Sequence, residues 1–244
     1  MTGISAKLKA MCGRVALFSP PSYLARFLEA ALAADLEPEG EPSWNLGPQR
    51  TLFAVTKREG TRVLDAYRWG LVPSWAKDPS IGNKLFNARG ETVIEKPSFR
   101  KAFVKRPCVI PVDGFYEWDH RPGRDRQPNF FTRSDEQLLL FAGLHENWWS
   151  RDDEGAPPLS TCTIITTTPS EDLEGMHDRM PVVLSLEDVE TWLNIDEHSP
   201  EERASLLRPA PAGTLTHYGV SKAVGSVKND GPELTRSVEP QSLF

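Results

Sequence analysis

Apolar and polar positions along this chain fall mostly into short runs rather than long helical stripes. Runs with the two-residue period of a half-buried strand, or short apolar runs bounded by turn residues, recur at Thr51–Thr56, Arg62–Arg68, Cys108–Val112, Phe115–Trp118, Asn129–Thr132, Leu138–Ala142, Thr161–Thr168 and Leu215–Val220. A helical period is clearest where Leu24, Phe27, Leu28, Ala31 and Leu32 predict an amphipathic helix over Ser22–Leu36, capped by Ser22 after Pro20 and Pro21. Shorter helices are predicted near Ser98–Val104, Leu186–Leu193 and Pro200–Leu207. Strands dominate and do not alternate with helices, which argues against a parallel βαβ sheet. The fold class expected is α+β: a single domain with a curved, mainly antiparallel β-sheet or barrel core flanked by short helices. Arg121–Gln127 and Ser150–Pro158 read as surface loops and Asn229–Phe244 as a weakly ordered tail, with no linker or internal repeat.

Composition narrows the function classes. The hydrophobic share of 39% and the 244-residue length suit one large soluble domain with a sizeable core. Cys12, Cys108 and Cys162 are widely spaced, without a CxxC or Cys/His cluster, so no disulfide framework, metal site or cofactor is expected. No apolar run is long enough for a membrane span and the N-terminus lacks a signal-like apolar stretch, so a cytoplasmic location is expected. A net charge of −6 argues against a protein that coats nucleic acid with general positive charge. Between Arg68 and Arg106, however, nine Lys/Arg stand against three acids. Such an island suits one anionic ligand, although a solvated face would look the same.

Chemistry gathers in a few segments. In Met11-Cys12-Gly13-Arg14, a chain that began at Cys12 would carry an α-amine and a thiol on one residue. The amine titrates near ~7.7–8.0 and the thiol near ~8.5, so both are partly nucleophilic at neutral pH. Together they can convert an aldehyde into an imine and then a thiazolidine. In Asn87-Ala88-Arg89, alternation puts a carboxamide and a guanidinium on one face, suited to orienting a reacting group and holding a phosphate; a turn asparagine beside a surface arginine is the alternative. In Gly114-Phe115-Tyr116-Glu117-Trp118, Glu117 shares a face with Phe115 amid aromatic surface, where desolvation favours acid/base work; a structural ion pair is the alternative. His177, in Met176-His177-Asp178-Arg179, is a loop histidine with an arginine two residues on. Trp69 and Trp75 lie among basic residues, and one is expected in the core with Trp75 exposed as a stacking platform for an unpaired base.

These motifs, with Trp44-Asn45-Leu46-Gly47-Pro48 and His177-Asp178-Arg179-Met180-Pro181, occur in the order found in the SRAP family. These are SOS response-associated peptidase-like proteins that process abasic sites in single-stranded DNA. The resemblance runs from Cys12 to about Pro232 and includes Val220-Ser221-Lys222-Ala223-Val224 and Lys228-Asn229-Asp230. It implies an SRAP domain over 12–232, an N-terminal extension over 1–11 that is removed or reflects a misassigned start, and a tail over 233–244. It further implies a monomer acting on single-stranded DNA with abasic sites, nucleoid-associated during repair, without cofactor or membrane contact. Cys12 would trap the ring-opened abasic aldehyde as a thiazolidine, Asn87 would orient the amine and sugar, and Glu117 and His177 would move protons. Arg14, Asn45, Trp75, Arg89 and Arg179 would bind DNA. The same residues could support lyase chemistry through the imine and autoproteolysis exposing Cys12. A cysteine peptidase built on Cys12 and His177, and a non-covalent damaged-DNA binding module, are the competing readings. Two departures stand out: ten residues precede Met11, and Gly225 occupies a position where the family pattern has asparagine.

Overall fold

The computed structural model describes residues 13–121, 126–153 and 155–238; Cys12, the N-terminal extension over 1–11 and 239–244 lie outside the described residues. In chain order the elements are β1 (Val15–Leu17), α1 (Pro21–Phe27), β2 (Ala31–Leu32), β3 (Ser43–Leu46), β4 (Thr51–Arg58), β5 (Thr61–Trp69), β6 (Asn87–Arg89), α2 (Arg100–Lys105), β7 (Pro107–Val112), β8 (Gly114–Trp118), β9 (Pro128–Arg133), β10 (Leu139–Trp148), β11 (Leu159–Thr167), β12 (Met180–Pro181), α3 (Leu186–Leu193), α4 (Pro200–Ser205) and β13 (Leu215–Gly219).

One sheet runs β13-β9-β8-β1-β3, and the other runs β12-β11-β10-β7-β4-β5-β2 with β6 added beside β11. The second closes on itself. β5 pairs in parallel with β11 through Arg68–Thr161 and Trp69–Cys162, so β4, β5, β11, β10 and β7 form a ring. Closure leaves those strands without a free edge there. The β4–β5 hairpin turns through Glu59 (φ 48°) and Gly60 (φ 80°), the paired positive φ values that a two-residue hairpin loop favours. The α+β class and the mainly antiparallel curved core are as the sequence predicts.

Leu52, Val55, Leu64, Val109, Phe141 and Ile164 are fully buried in the main core, each worth ~1.5–3 kcal/mol of apolar burial. Helix α3, capped reciprocally by Ser185 and Asp188, packs over β7, and Trp192 Nε1 donates to the Cys108 carbonyl at 2.9 Å. Arg203 of α4 is buried with a purpose: it donates to the carbonyls of Phe103 and Val104 (2.7 and 3.0 Å), satisfying oxygens of α2.

Three boundaries differ from the sequence reading. The helix predicted to Leu36 ends at Phe27, because Glu29 turns left-handed (φ 51°) and Ala31–Leu32 pair with Val63–Leu64 instead. Its start is set by Pro21 in the first turn; Ser22 does not cap it. Strand β10 continues past Ala142 to Trp148, since its second half finds a partner in Leu159–Ile164. The tail expected from 233 starts too early: Pro232–Thr235 form a 3-10 turn with Leu234 buried, and Ser237 bridges to Val220.

Candidate active site

Strand β8 has two different faces. Phe115 enters the main core, whereas Tyr116 joins a second cluster with Ala16, Phe130, Val220, Val224 and Leu234, with Trp118 against it. Gly114 lets β9 approach, since a Cβ there would lie 2.3 Å from the Phe130 ring and 2.7 Å from the Phe131 carbonyl. By alternation Glu117 follows Phe115, and it is only 2% exposed.

The partner arrives from a loop. After β11 the chain turns at Gly175 (φ 76°) and delivers His177, whose side chain is 1% exposed, with Nε2 3.9 Å from a Glu117 carboxylate oxygen. His177 Nδ1 accepts the Arg179 amide at 3.1 Å and lies 3.1 Å from Asp178 Oδ1. Neutral imidazole thus has a donor at Nδ1 and carries its proton on Nε2, toward Glu117. Once protonated, the same ring has carboxylates beside both nitrogens. Both charge states are accommodated, as a proton-transferring pair requires.

Strand β11 carries the other elements of the site on its C-terminal half. On one edge β6 pairs with it (Asn87–Ile164, Arg89–Thr166), and on the other β12 pairs through Pro181–Thr166. Ala88 is fully buried, so Asn87 and Arg89 share the opposite face, the first half-buried and the second exposed. Arg179 is buried. It donates to both carboxylate oxygens of Glu91 and, at 2.6 Å, to the Thr166 carbonyl. The hydrogen bonding from Arg179 to Glu91 holds that carboxyl below its ordinary range, against the opposing effect of burial.

β1 runs antiparallel to β8 with Val15 opposite Phe115, and the Arg14 carbonyl accepts the Tyr116 amide at 2.9 Å. Continuing that register sets Gly13 level with Glu117. Arg14 itself is half-buried, with its guanidinium 5.9 Å over the Trp118 ring and Nη1 donating to Asn45 Oδ1 (2.7 Å) and the Val224 carbonyl (2.6 Å). Burial lowers its pKa. Asn45 is 3% exposed and donates to the carbonyls of Val224, Ser226 and Asn229, so it clamps the C-terminal segment. Arg14 works in the same clamp, and the Arg179 guanidinium is engaged by Glu91.

Of the two tryptophans, Trp69 is fully buried and Trp75 is 51% exposed, as expected. The loop bearing Trp75 is shaped by Gly70 and Gly82, which meet so closely that a Cβ on Gly70 would lie 2.5 Å from the Gly82 carbonyl. Trp148 braces it from beneath by donating to the Ala76 carbonyl at 2.8 Å. Trp75, Lys77 and Lys84 border a depression of ≈ 250 Å³. A larger hollow of ≈ 360 Å³, between Phe18, Tyr23, Asp113 and Leu138, holds none of the predicted residues.

The sequence reading missed Glu91 and His120. Glu91 stands two residues after Arg89, close enough to have been weighed as the partner of a buried arginine. His120 follows the Glu117 motif, but only folding the hairpin back shows that its ring lies 5.4 Å from that of His177.

Fold and motif order together define a class. The family model for SOS response associated peptidase (SRAP) matches residues 11–227, and the chain belongs to that family. It is similar to "Abasic site processing protein YoqW" of Bacillus subtilis (strain 168), 44% identical over 229 residues that span 93% of this chain and 100% of the relative. It is also similar to "Abasic site processing protein HMCES" of Gallus gallus, 37% identical over 81% of this chain and 67% of the relative. A solved Bacteroides thetaiotaomicron protein shares the fold, with a TM-score of 0.82 at 24% identity over 93% of this chain and 100% of that one. Among the described residues, no helix is long and apolar enough to cross a membrane.

Proposed function

We propose that this protein processes abasic sites in single-stranded DNA, using Cys12 as an N-terminal residue to trap the ring-opened sugar aldehyde. One observation carries the reading: Glu117 and His177 form a buried pair, with Glu117 on the strand whose register, continued from Val15–Phe115 through Arg14–Tyr116, leads to the start of β1. The names of the relatives and the start of the family match at residue 11 support it.

The α-amine of Cys12 adds to the aldehyde carbon and water leaves, giving an imine. The thiol sulfur then bonds to the imine carbon, its proton is passed on, and the nitrogen is protonated as the ring closes. Glu117 takes and returns these protons, and His177 delivers a proton when the ring reopens. Asn87 orients the amine and the sugar. Arg89 holds a flanking phosphate, Trp75 stacks on an unpaired base, and Arg179 assists where a phosphate displaces Glu91.

Full-length protein, and protein started at Met11, incubated with single-stranded DNA carrying one abasic site, should each be scored for a heat-stable adduct and for the mass of the mature N-terminus. An adduct confined to protein beginning at Cys12 is expected. Tight binding without an adduct would favour the binding module, and cleavage of an unrelated peptide that depends on Cys12 would favour the peptidase.

A further inference from the structure

His177 does not face Glu117 alone. The ring of His120 lies 5.4 Å from its ring, tilted by 59°, where the β8–β9 hairpin folds over the His177 loop. The hairpin is held there by backbone: the His120 amide donates to the Met176 carbonyl at 3.2 Å, and the Asp119 amide to the Gln127 carbonyl at 3.0 Å. These backbone bonds remain available when the His120 side chain is changed. His177 is almost wholly enclosed, whereas His120 is partly exposed and stands nearer to water.

We propose that His120 is a positioning residue for His177, a second imidazole that sets how readily His177 holds its proton and links it to solvent. This rests on the abasic-site reading for its catalytic meaning, though not for its physical test. Two imidazolium charges at this spacing repel. Protonating His120 makes protonation of His177 harder by at least about half a pH unit, even with solvent-like screening.

Among the described residues, these charged groups surround the pair. Glu117 faces His177 Nε2 and Asp178 its Nδ1, and both favour the imidazolium. On the hairpin, Asp119 is buried and paired with Arg121 at 2.5 Å, so that carboxylate is largely neutralised. The same Asp119 and Arg121 face His217 of β13, whose pKa is lowered first by burial and then by Arg121. Glu117 and Asp178 thus favour charge on His177, and His120 opposes it. The balance suits a group that must give its proton up during turnover.

The test uses the full chain without DNA. The five histidines are followed by NMR between about pH 4 and 9, in wild type, His120→Gln and His120→Lys, with His177→Ala identifying the His177 signal. Unchanged His145 and His198 signals report an intact fold. The titration midpoint of His177 should rise in His120→Gln and fall in His120→Lys, by at least about half a pH unit across the pair. The pH profile of adduct release should move with it. Equal midpoints in all three proteins, or no titration of His177 in that range, would overturn the proposal. Shifted midpoints in protein that forms no abasic adduct would uphold the coupling and refute the abasic-site reading instead.

Discussion

Glu117 and His177 stand 3.9 Å apart, nearly sealed from water, so a change to either should be felt in rate before affinity. Glu117→Gln keeps shape and removes the titrating proton. Adduct formation should slow roughly 10²–10⁴-fold while the Kd for single-stranded DNA stays near wild type, as read from single-turnover kinetics and equilibrium binding. The arginines separate by environment. Arg89 is exposed, and Arg89→Ala should flatten the salt dependence of DNA binding by about one unit of slope without altering unfolding. Arg179 is buried against Glu91 and the Thr166 carbonyl, so Arg179→Ala should also cost ~1–3 kcal/mol in denaturant unfolding. Asn45→Ala should destabilise by a similar ~1–3 kcal/mol, since three carbonyls lose one donor, and should leave the salt slope unchanged.

Elements are joined by contacts with their own pH signature. Glu190 of α3 bonds to Lys57 of β4 and Arg62 of β5 (2.7 and 2.8 Å), and these hydrogen bonds lower its pKa to about 2. A depressed carboxyl contributes stability above its unfolded pKa near 4.5 and loses it as pH falls through about 2. Thermal unfolding of wild type and Glu190→Gln should therefore converge as pH drops from above 4.5 toward 2, with wild type the more stable above that window. The gap should be modest, because Glu190 is 45% exposed. The strands were legible because their apolar runs end at turn residues. The helix after Pro20 was overextended because Leu24 and Leu28 carry a helical stripe whose continuation, Ala31–Leu32, pairs with β5. That pairing is tertiary, and local periodicity does not contain it.

Across the whole molecule, ring closure brings distant segments to one place: β6 and the His177 loop meet across the end of β11, and the chain entry at Arg14 meets β8. Strand alternation alone placed Glu117 on the face of Phe115, and Asn87 with Arg89. The sequence could not show that Asn45 would turn inward to hold Val224–Asn229, nor that Glu91 would occupy Arg179, because both depend on segments far apart along the chain. The proximity of Glu117 to His177 was implied by family resemblance and is now a distance. In the proposed reaction one residue, Cys12, supplies both amine and thiol. Protein begun at Met11, as wild type and as Cys12→Ala, should be incubated with abasic single-stranded DNA, heated without reductant, and the DNA-bound fraction weighed by intact mass spectrometry. A wild-type adduct is expected whose mass equals protein beginning at Cys12 plus DNA less one water, and none for Cys12→Ala. A heat-stable adduct at wild-type level in Cys12→Ala, or one retaining Met11, would contradict this reaction.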